Sequence, residues 1–400
     1  MAAPFLSHAF FPEGDPTVAL IQTYALFAIG FLIRPVGAMI LGPMGDKHGR
    51  NKILALSIVL MALGTGLIGF VPTYERIGIL APIIVLLLRL VQGFAAGGEW
   101  GAATAFLYEF APADKKAFFG SFRPTGTGLG FFLGSFIMSL TVTLMDPDFL
   151  YSFGWRFPFF LALVLGGVGL YIRLQVDETP VFKEALAKND IAEKPLTEMF
   201  ELSKKAIAVM FAMVLIWNAV YYIIFTYMPT YLKVTLNVSQ ATAMQTNTIV
   251  TAFYTCLIPL IGWLSDRYSK KMFLMISCLG FVIVGIPAYM LLDPTSYLNL
   301  LVIQLLLVTF MAFFSGPATA VISELFPARV RNTAVSVTYT FNVALFGGTA
   351  PMVCVWLTSV TGNPIAPAFY MVFCSLISLW GVLQIKEKNG VLQVVEKKVS

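Results

Sequence analysis

Residues Gly42-Pro-Met-Gly-Asp46-Lys-His-Gly-Arg50-Asn-Lys52 return 220 positions later as Gly262-Trp-Leu-Ser-Asp266-Arg-Tyr-Ser-Lys270-Lys271. A second pair, Glu109-Phe-Ala-Pro112 and Glu324-Leu-Phe-Pro327, stands 215 apart. It closes the second apolar stretch after each of those loops. Two matches at nearly one offset mark a duplicated half. What surrounds them decides the class of protein, because every stretch between such loops is apolar.

Of the 400 residues 58% are hydrophobic and 12% charged, and the mean hydropathy is +0.82. A soluble chain carries about 25% charged residues. This composition excludes a soluble globular domain, a disordered chain and a disulfide framework. Crossing ~30 Å of hydrocarbon takes ~20 apolar residues, and such stretches fall at 18–42, 53–71, 83–108, 119–144, 155–175, 206–232, 246–264, 272–291, 298–323, 333–360 and 366–385. Eleven full spans are expected. Before them stand only Met1 to Phe11, too short to cross, so the first helix of the first half is expected to be largely missing. Met1–Phe11 has no basic n-region and does not read as a signal peptide.

Loops on one side hold 20 of the 26 Lys and Arg, from Lys47 through the tail beyond Lys386. The positive-inside rule makes those loops and the C-terminus cytoplasmic and the Phe11–Pro16 loop external. The expected organisation is an N-terminal helical half (1–175), a cytoplasmic connector (176–205), a C-terminal half (206–385) and a short tail (386–400) in the cell (inner) membrane. The net charge of +5 reports topology and contact with anionic lipid, not nucleic acid binding.

Duplicated helical halves build many secondary transporters, with the substrate held near the midplane. The Gly42–Arg50 loop resembles the signature of the major facilitator superfamily. More specifically, Phe31-Leu-Ile-Arg34-Pro35-Val-Gly37, Gln92-Gly93 with Gly97-Gly98-Glu99-Trp100, Gly154-Trp155-Arg156-Phe-Pro158, Asp177-Glu178-Thr179-Pro180-Val-Phe182 and Tyr227-Met-Pro229-Thr-Tyr231 resemble the metabolite:proton symporter family, and within it the proline/glycine-betaine branch. The resemblance implies an all-α fold of two six-helix halves. Departures from the branch are expected where this sequence stops at Ser400, against its long coiled-coil tail, and at Pro124, preceded by Arg123, where the branch carries an acidic residue of the fifth helix.

Ionisable side chains within spans cost ~2.5–3.5 kcal/mol on insertion scales and mark function by default. Here they are Arg34, Arg89, Glu99 and Arg123. Arg89, Gln92 and Glu99 share one helix face, beside a Gly93, Gly97, Gly101 ridge suited to close packing. Glu99 is the one carboxylate of the spans. With Arg89 and Arg34 it is the candidate for proton coupling, the alternative being a permanent pair with either arginine. Arg123 either reaches the interface or faces the substrate cavity. Gln92, Asn218, Tyr221, Tyr222 and Asn342 are the other cavity candidates, tyrosines being able to hold a quaternary ammonium; interhelix hydrogen bonding is the alternative for each. Gly126, Gly130 and Gly134 are expected to form a second close-packing ridge. By resemblance, Gly42, Asp46, Gly49, Arg50, Asp266, Arg267, Glu109 and Glu324 form a cytoplasmic gate of exposed charges.

Two histidines, four scattered cysteines and the lack of a phosphate-binding Gly-x-x-x-x-Gly-Lys-[Ser/Thr] loop argue against metal, cofactor and ATP chemistry. The expected function is proton-driven symport of a small carboxylate-bearing metabolite or compatible solute by a monomer in the lipid bilayer. A non-transporting receptor of the same fold and an inactive truncated symporter are the alternatives; a membrane enzyme ranks last.

Overall fold

Long runs of Leu, Ile, Val, Ala and Phe leave the backbone one local way to satisfy its N–H and C=O groups in hydrocarbon, the helix. In the computed structural model, which describes residues 3–11, 29–188, 192–388 and 391–394, these runs become α1 (Ala3–Phe10), α2 (Arg34–His48), α3 (Arg50–Gly66), α4 (Leu80–Phe110), α5 (Lys116–Leu144), α6 (Phe157–Leu174), α7 (Pro195–Met213), α8 (Leu215–Tyr222), α9 (Gln240–Arg267), α10 (Lys270–Met290), α11 (Tyr297–Glu324), α12 (Arg331–Asn342), α13 (Ala350–Thr361) and α14 (Ala366–Leu383). Among the described residues nine rods are long and apolar enough to cross a membrane. Helices α2 and α5 occupy two further expected spans. The loop through Pro16 and the 18–42 span before Ile29 lie outside the described residues.

Two rods are composite. Helices α7 and α8 continue through π-helical turns at Ile223–Tyr227 and Tyr231–Thr235, and α12 joins α13 through another at Val343–Gly347. Where α7 gives way to α8 at Val214, a side chain from α14 bridges the break: the Ile216 N–H donates to Ser378 Oγ (2.8 Å), and Ser378 Oγ donates to the Ala212 carbonyl (3.0 Å). Ser378 is fully buried. Ser378→Ala leaves both backbone groups without this partner, a loss of ~1–3 kcal/mol. A melting temperature several degrees lower in detergent is expected; an unchanged one would show that water heals the break.

The halves meet along two seams that exchange equivalent helices. Helix α5 packs on α9 and α11, and α12 packs on α2 and α4. A Cβ at Gly97 would lie 2.2 Å from the Arg34 carbonyl oxygen and one at Gly101 2.0 Å from Ser336 Oγ, so the expected ridge on α4 does carry close contacts, to α2 and then to α12. The second expected ridge does not: a Cβ at Gly126, Gly130 or Gly134 meets nothing within 4 Å, and it is Gly128, against Thr255 of α9, that is tight. A periodic glycine stripe marks a permitted contact, and only the neighbour's path decides which face uses it. Outward-facing Val164, Leu165 and Val168 of α6 are more than half exposed, as lipid-facing positions must be.

The residues after α14 form more than a plain tail. Strands β1 (Ile385–Lys388) and β2 (Val391–Val394) pair antiparallel, Ile385 opposite Val394. The hairpin lies against the ends of α10 and α14 on one strand and of α7 and α11 on the other. Ile385 is fully buried, its carbonyl accepting from Lys271 Nζ at 2.6 Å, while Ser269 Oγ donates to the Glu387 carboxylate.

Candidate functional site

The duplicated loops do the same thing to opposite halves. Asp46, at the end of α2, accepts hydrogen bonds from the Asn332 N–H (3.2 Å), the Thr333 N–H (2.8 Å) and Thr333 Oγ1 (2.7 Å), at the start of α12. Asp266, at the end of α9, accepts from the Ala117 and Phe118 N–H groups, both at 2.8 Å, at the start of α5. The first N–H groups of a helix have no partner within it and carry the positive end of its dipole. Each aspartate thus caps a helix of the other half. Neither α5 nor α12 has a side-chain cap of its own at its N-cap residue, Lys115 and Val330 respectively.

Around Asp46 a charge network crosses the same seam. Arg50 Nη2 lies 3.6 Å from Asp46 and 3.3 Å from Glu109, and donates to the Ala328 carbonyl at 2.8 Å. Arg331 Nη1 donates to Glu109 Oε1 at 2.9 Å, and Thr179 Oγ1 donates to Glu109 Oε2 at 2.6 Å. The Phe182 ring lies under the Arg50 guanidinium at 5.0 Å. The Asp177–Phe182 motif is therefore part of this latch. Gly49 belongs to it for a steric reason: with φ +107° it turns the chain where a Cβ would meet Glu178 Oε2 at 2.1 Å, and Glu178 accepts from the Asn51 N–H at 3.0 Å.

The expectation of exposed gate charges is corrected, since Asp46 is 3% and Arg50 2% exposed. Burial pushes the Asp46 carboxyl up to about 6, against the pull of Arg50 and of the Thr333 and Asn332 donors. Arg267 is also corrected: its guanidinium stacks on Trp263 at 3.8 Å, and Lys270 is the residue that pairs with Glu324. Gly42 serves by approach, its carbonyl accepting from Asn332 Nδ2 at 2.6 Å. Sequence reading missed Asn332, Thr333 and Arg331, because a neutral Asn-Thr pair at a helix start carries no charge signal.

Between the halves the four intramembrane charges part company. Arg89 donates to Gln92 Oε1 (2.9 Å), and Gln92 Nε2 donates to Thr65 Oγ1 (2.9 Å), which ties both to α3. Arg34 stacks over Phe31 at 3.9 Å and lies beside Tyr222. Among the described residues Glu99 makes no ion pair with Arg34 or Arg89, so the permanent pairing considered for it is not seen; its charged neighbours are Arg123 and Arg173. Arg123 turns inward. Its guanidinium lies over Trp100 at 4.5 Å, near Tyr339, Glu99, Arg34 and Tyr221, rather than at an interface. Asn218 and Asn342 are spent on each other, Nδ2 to Oδ1 at 2.7 Å, and Asn342 Nδ2 also donates to the Phe211 carbonyl. Both are buried, and the interhelix hydrogen bonding considered for each is what the structure shows of them. Tyr221 and Tyr222 stay with the cluster, ring centroids 5.7 Å apart. Trp100, which in the sequence only completed a motif, and Trp217 form its centre with Tyr339.

A bundle with interlocked halves, a charged latch at one end and arginines where the halves meet has the construction of a membrane transporter. Comparison with known proteins agrees. The model of the Major Facilitator Superfamily matches residues 9–351. The chain is 36% identical over 391 residues to the glycine betaine/proline/ectoine/pipecolic acid transporter OusA of Dickeya dadantii, covering 96% of this chain and 78% of that one. It is 32% identical, with the same coverage, to the proline/betaine transporter of Escherichia coli strain K12. Among solved structures, a proton:xylose symporter bound to 6-bromo-6-deoxy-D-glucose superposes with a TM-score of 0.78 at 18% identity, over 96% of this chain and 89% of that one. The chain belongs to the major facilitator superfamily, and its relatives are transporters, not enzymes.

Proposed function

We propose that the chain is a proton-coupled symporter of a small carboxylate-bearing solute, a zwitterion or an organic acid, moved by alternating access of the halves 1–175 and 206–385 about the connector 176–205. The observation that carries this reading is Arg123, a guanidinium held where the halves meet with no carboxylate within the 4.0 Å ion-pair distance among the described residues. Such a cation favours an anionic group in its substrate. The named substrates of the Dickeya relative each carry a carboxylate, which accords with this.

Glu99 supplies the coupling. While ionised it competes with a substrate carboxylate for Arg123, so a bound substrate and a proton on Glu99 favour each other, and linkage makes the effect reciprocal. Arg34 and Arg89 act at longer range, Arg89 through Gln92. The basic latch is the cytoplasmic gate, closed here, and the protein acts as a monomer in the cell membrane with its C-terminus inside. The test is uptake by vesicles containing the purified full chain: accumulation of a labelled carboxylate solute on imposing an inward proton gradient, and its collapse with a protonophore. Accumulation indifferent to the protonophore would remove the proton from the mechanism.

A further inference from the structure

We propose that the central site takes an organic anion lacking an ammonium group, a small mono- or dicarboxylate, and discriminates against zwitterions. This deepens the transport reading above and rests on it. An onium group needs either a carboxylate or an open aromatic face; the carboxylate of the cluster, Glu99, already lies beside Arg123, and the rings next to the arginines are covered. One face of Trp100 lies under the Tyr339 ring, centroids 3.5 Å apart and planes 9° from parallel. A ring that close leaves no gap, so the Arg123 guanidinium, 4.5 Å from the Trp100 centroid, lies on the opposite face. The Phe31 ring is covered in the same way by Arg34 at 3.9 Å. The Tyr254 hydroxyl is bonded to Ser315 Oγ at 2.6 Å, and its ring is crowded by Phe225 at 4.8 Å. The protein's own guanidiniums occupy the positions an ammonium would use, and they repel one.

The same arrangement favours an anion. A guanidinium held over a ring keeps N–H donors that can meet a carboxylate two at a time. The only hydrogen bond Arg123 donates among the described contacts is to Thr127 Oγ1, at a long 3.4 Å. Trp100, clamped by Tyr339 behind it, is a positioning residue against which the Arg123 guanidinium is held for the carboxylate. Arg34 adds a second positive charge near it. Charge at this point therefore sets specificity independently of overall likeness to the relatives.

Counterflow into vesicles holding the purified full chain tests this with labelled succinate, lactate and glycine betaine side by side. The expected result is exchange of one or both acids at least tenfold faster than betaine, lost in Arg123→Leu. Trp100→Leu should raise KM severalfold with a smaller fall in maximal rate. Because a variant can fail to assemble, the unmodified chain is also melted in detergent with each compound, and the acids should raise its melting temperature where betaine does not. Exchange and stabilisation by betaine with both acids ignored would overturn this inference and leave the transport reading standing. No exchange and no stabilisation by any of the three would overturn both.

Discussion

Asp46→Ala is expected to open the latched end of the bundle in most molecules and to reduce transport at least tenfold. The substitution leaves the buried Asn332 and Thr333 N–H groups without their acceptor and takes from the buried Arg50 guanidinium one of its two carboxylates, with Glu109 and the Ala328 carbonyl remaining to it. Removing one partner from a buried, hydrogen-bonded charge pair costs ~3–5 kcal/mol, which moves a conformational equilibrium by a factor of ~10² or more. Asp266→Ala removes two comparable bonds, but that carboxylate is only partly buried, and its loss resembles that of an ordinary helix cap, ~0.5–2 kcal/mol. Distances between spin labels on the two halves, read at the latched end, measure both. Equal opening in the two variants would show that burial does not set the latch strength. The unmodified protein should also respond to pH: the closed latch holds the Asp46 proton up to about 6, whereas a solvated aspartate releases it near ~3.9. Lowering the pH from neutral through 6 therefore favours closure. Asp46→Asn should lose that response.

Glu99→Gln is expected to abolish accumulation driven by a proton gradient while sparing exchange of solute for solute. The amide cannot ionise, so Arg123 is left to the substrate at every pH, and nothing links its release to proton movement. Accumulation should fall at least tenfold, and the dependence of exchange on pH should flatten. Uptake in Glu99→Gln that still collapses with a protonophore would move the coupling site elsewhere, with the Arg89–Gln92–Thr65 chain as the next place to look.

The fold was largely legible because hydrocarbon is a demanding solvent: apolar run length, loop charge and the 220-residue repeat each constrain it separately. The latch was half legible. Asp46, Arg50, Glu109, Asp266 and Glu324 announce themselves by charge in a repeated loop, but what the two aspartates meet depends on the opposite half, which supplies backbone N–H groups any sequence possesses. Arg267 was misplaced for a local reason: Lys270, three residues on, takes Glu324, and Trp263 offers Arg267 its ring instead. The central cluster was the least legible. Asn218 and Asn342 looked available singly because 124 positions separate two side chains that satisfy one another. Trp100 gave no sign that it would hold an arginine.

The crossed capping also bears on how the chain is built. When α5 leaves the ribosome its opening N–H groups have no acceptor until Asp266 follows 149 residues later, roughly 7–30 s at ordinary synthesis rates. Helix α12, by contrast, emerges to find Asp46 already made. The first half must therefore pass through biogenesis with a frayed end, which the second half mends on arrival. Each half, made alone, would keep one idle aspartate and one unfinished helix.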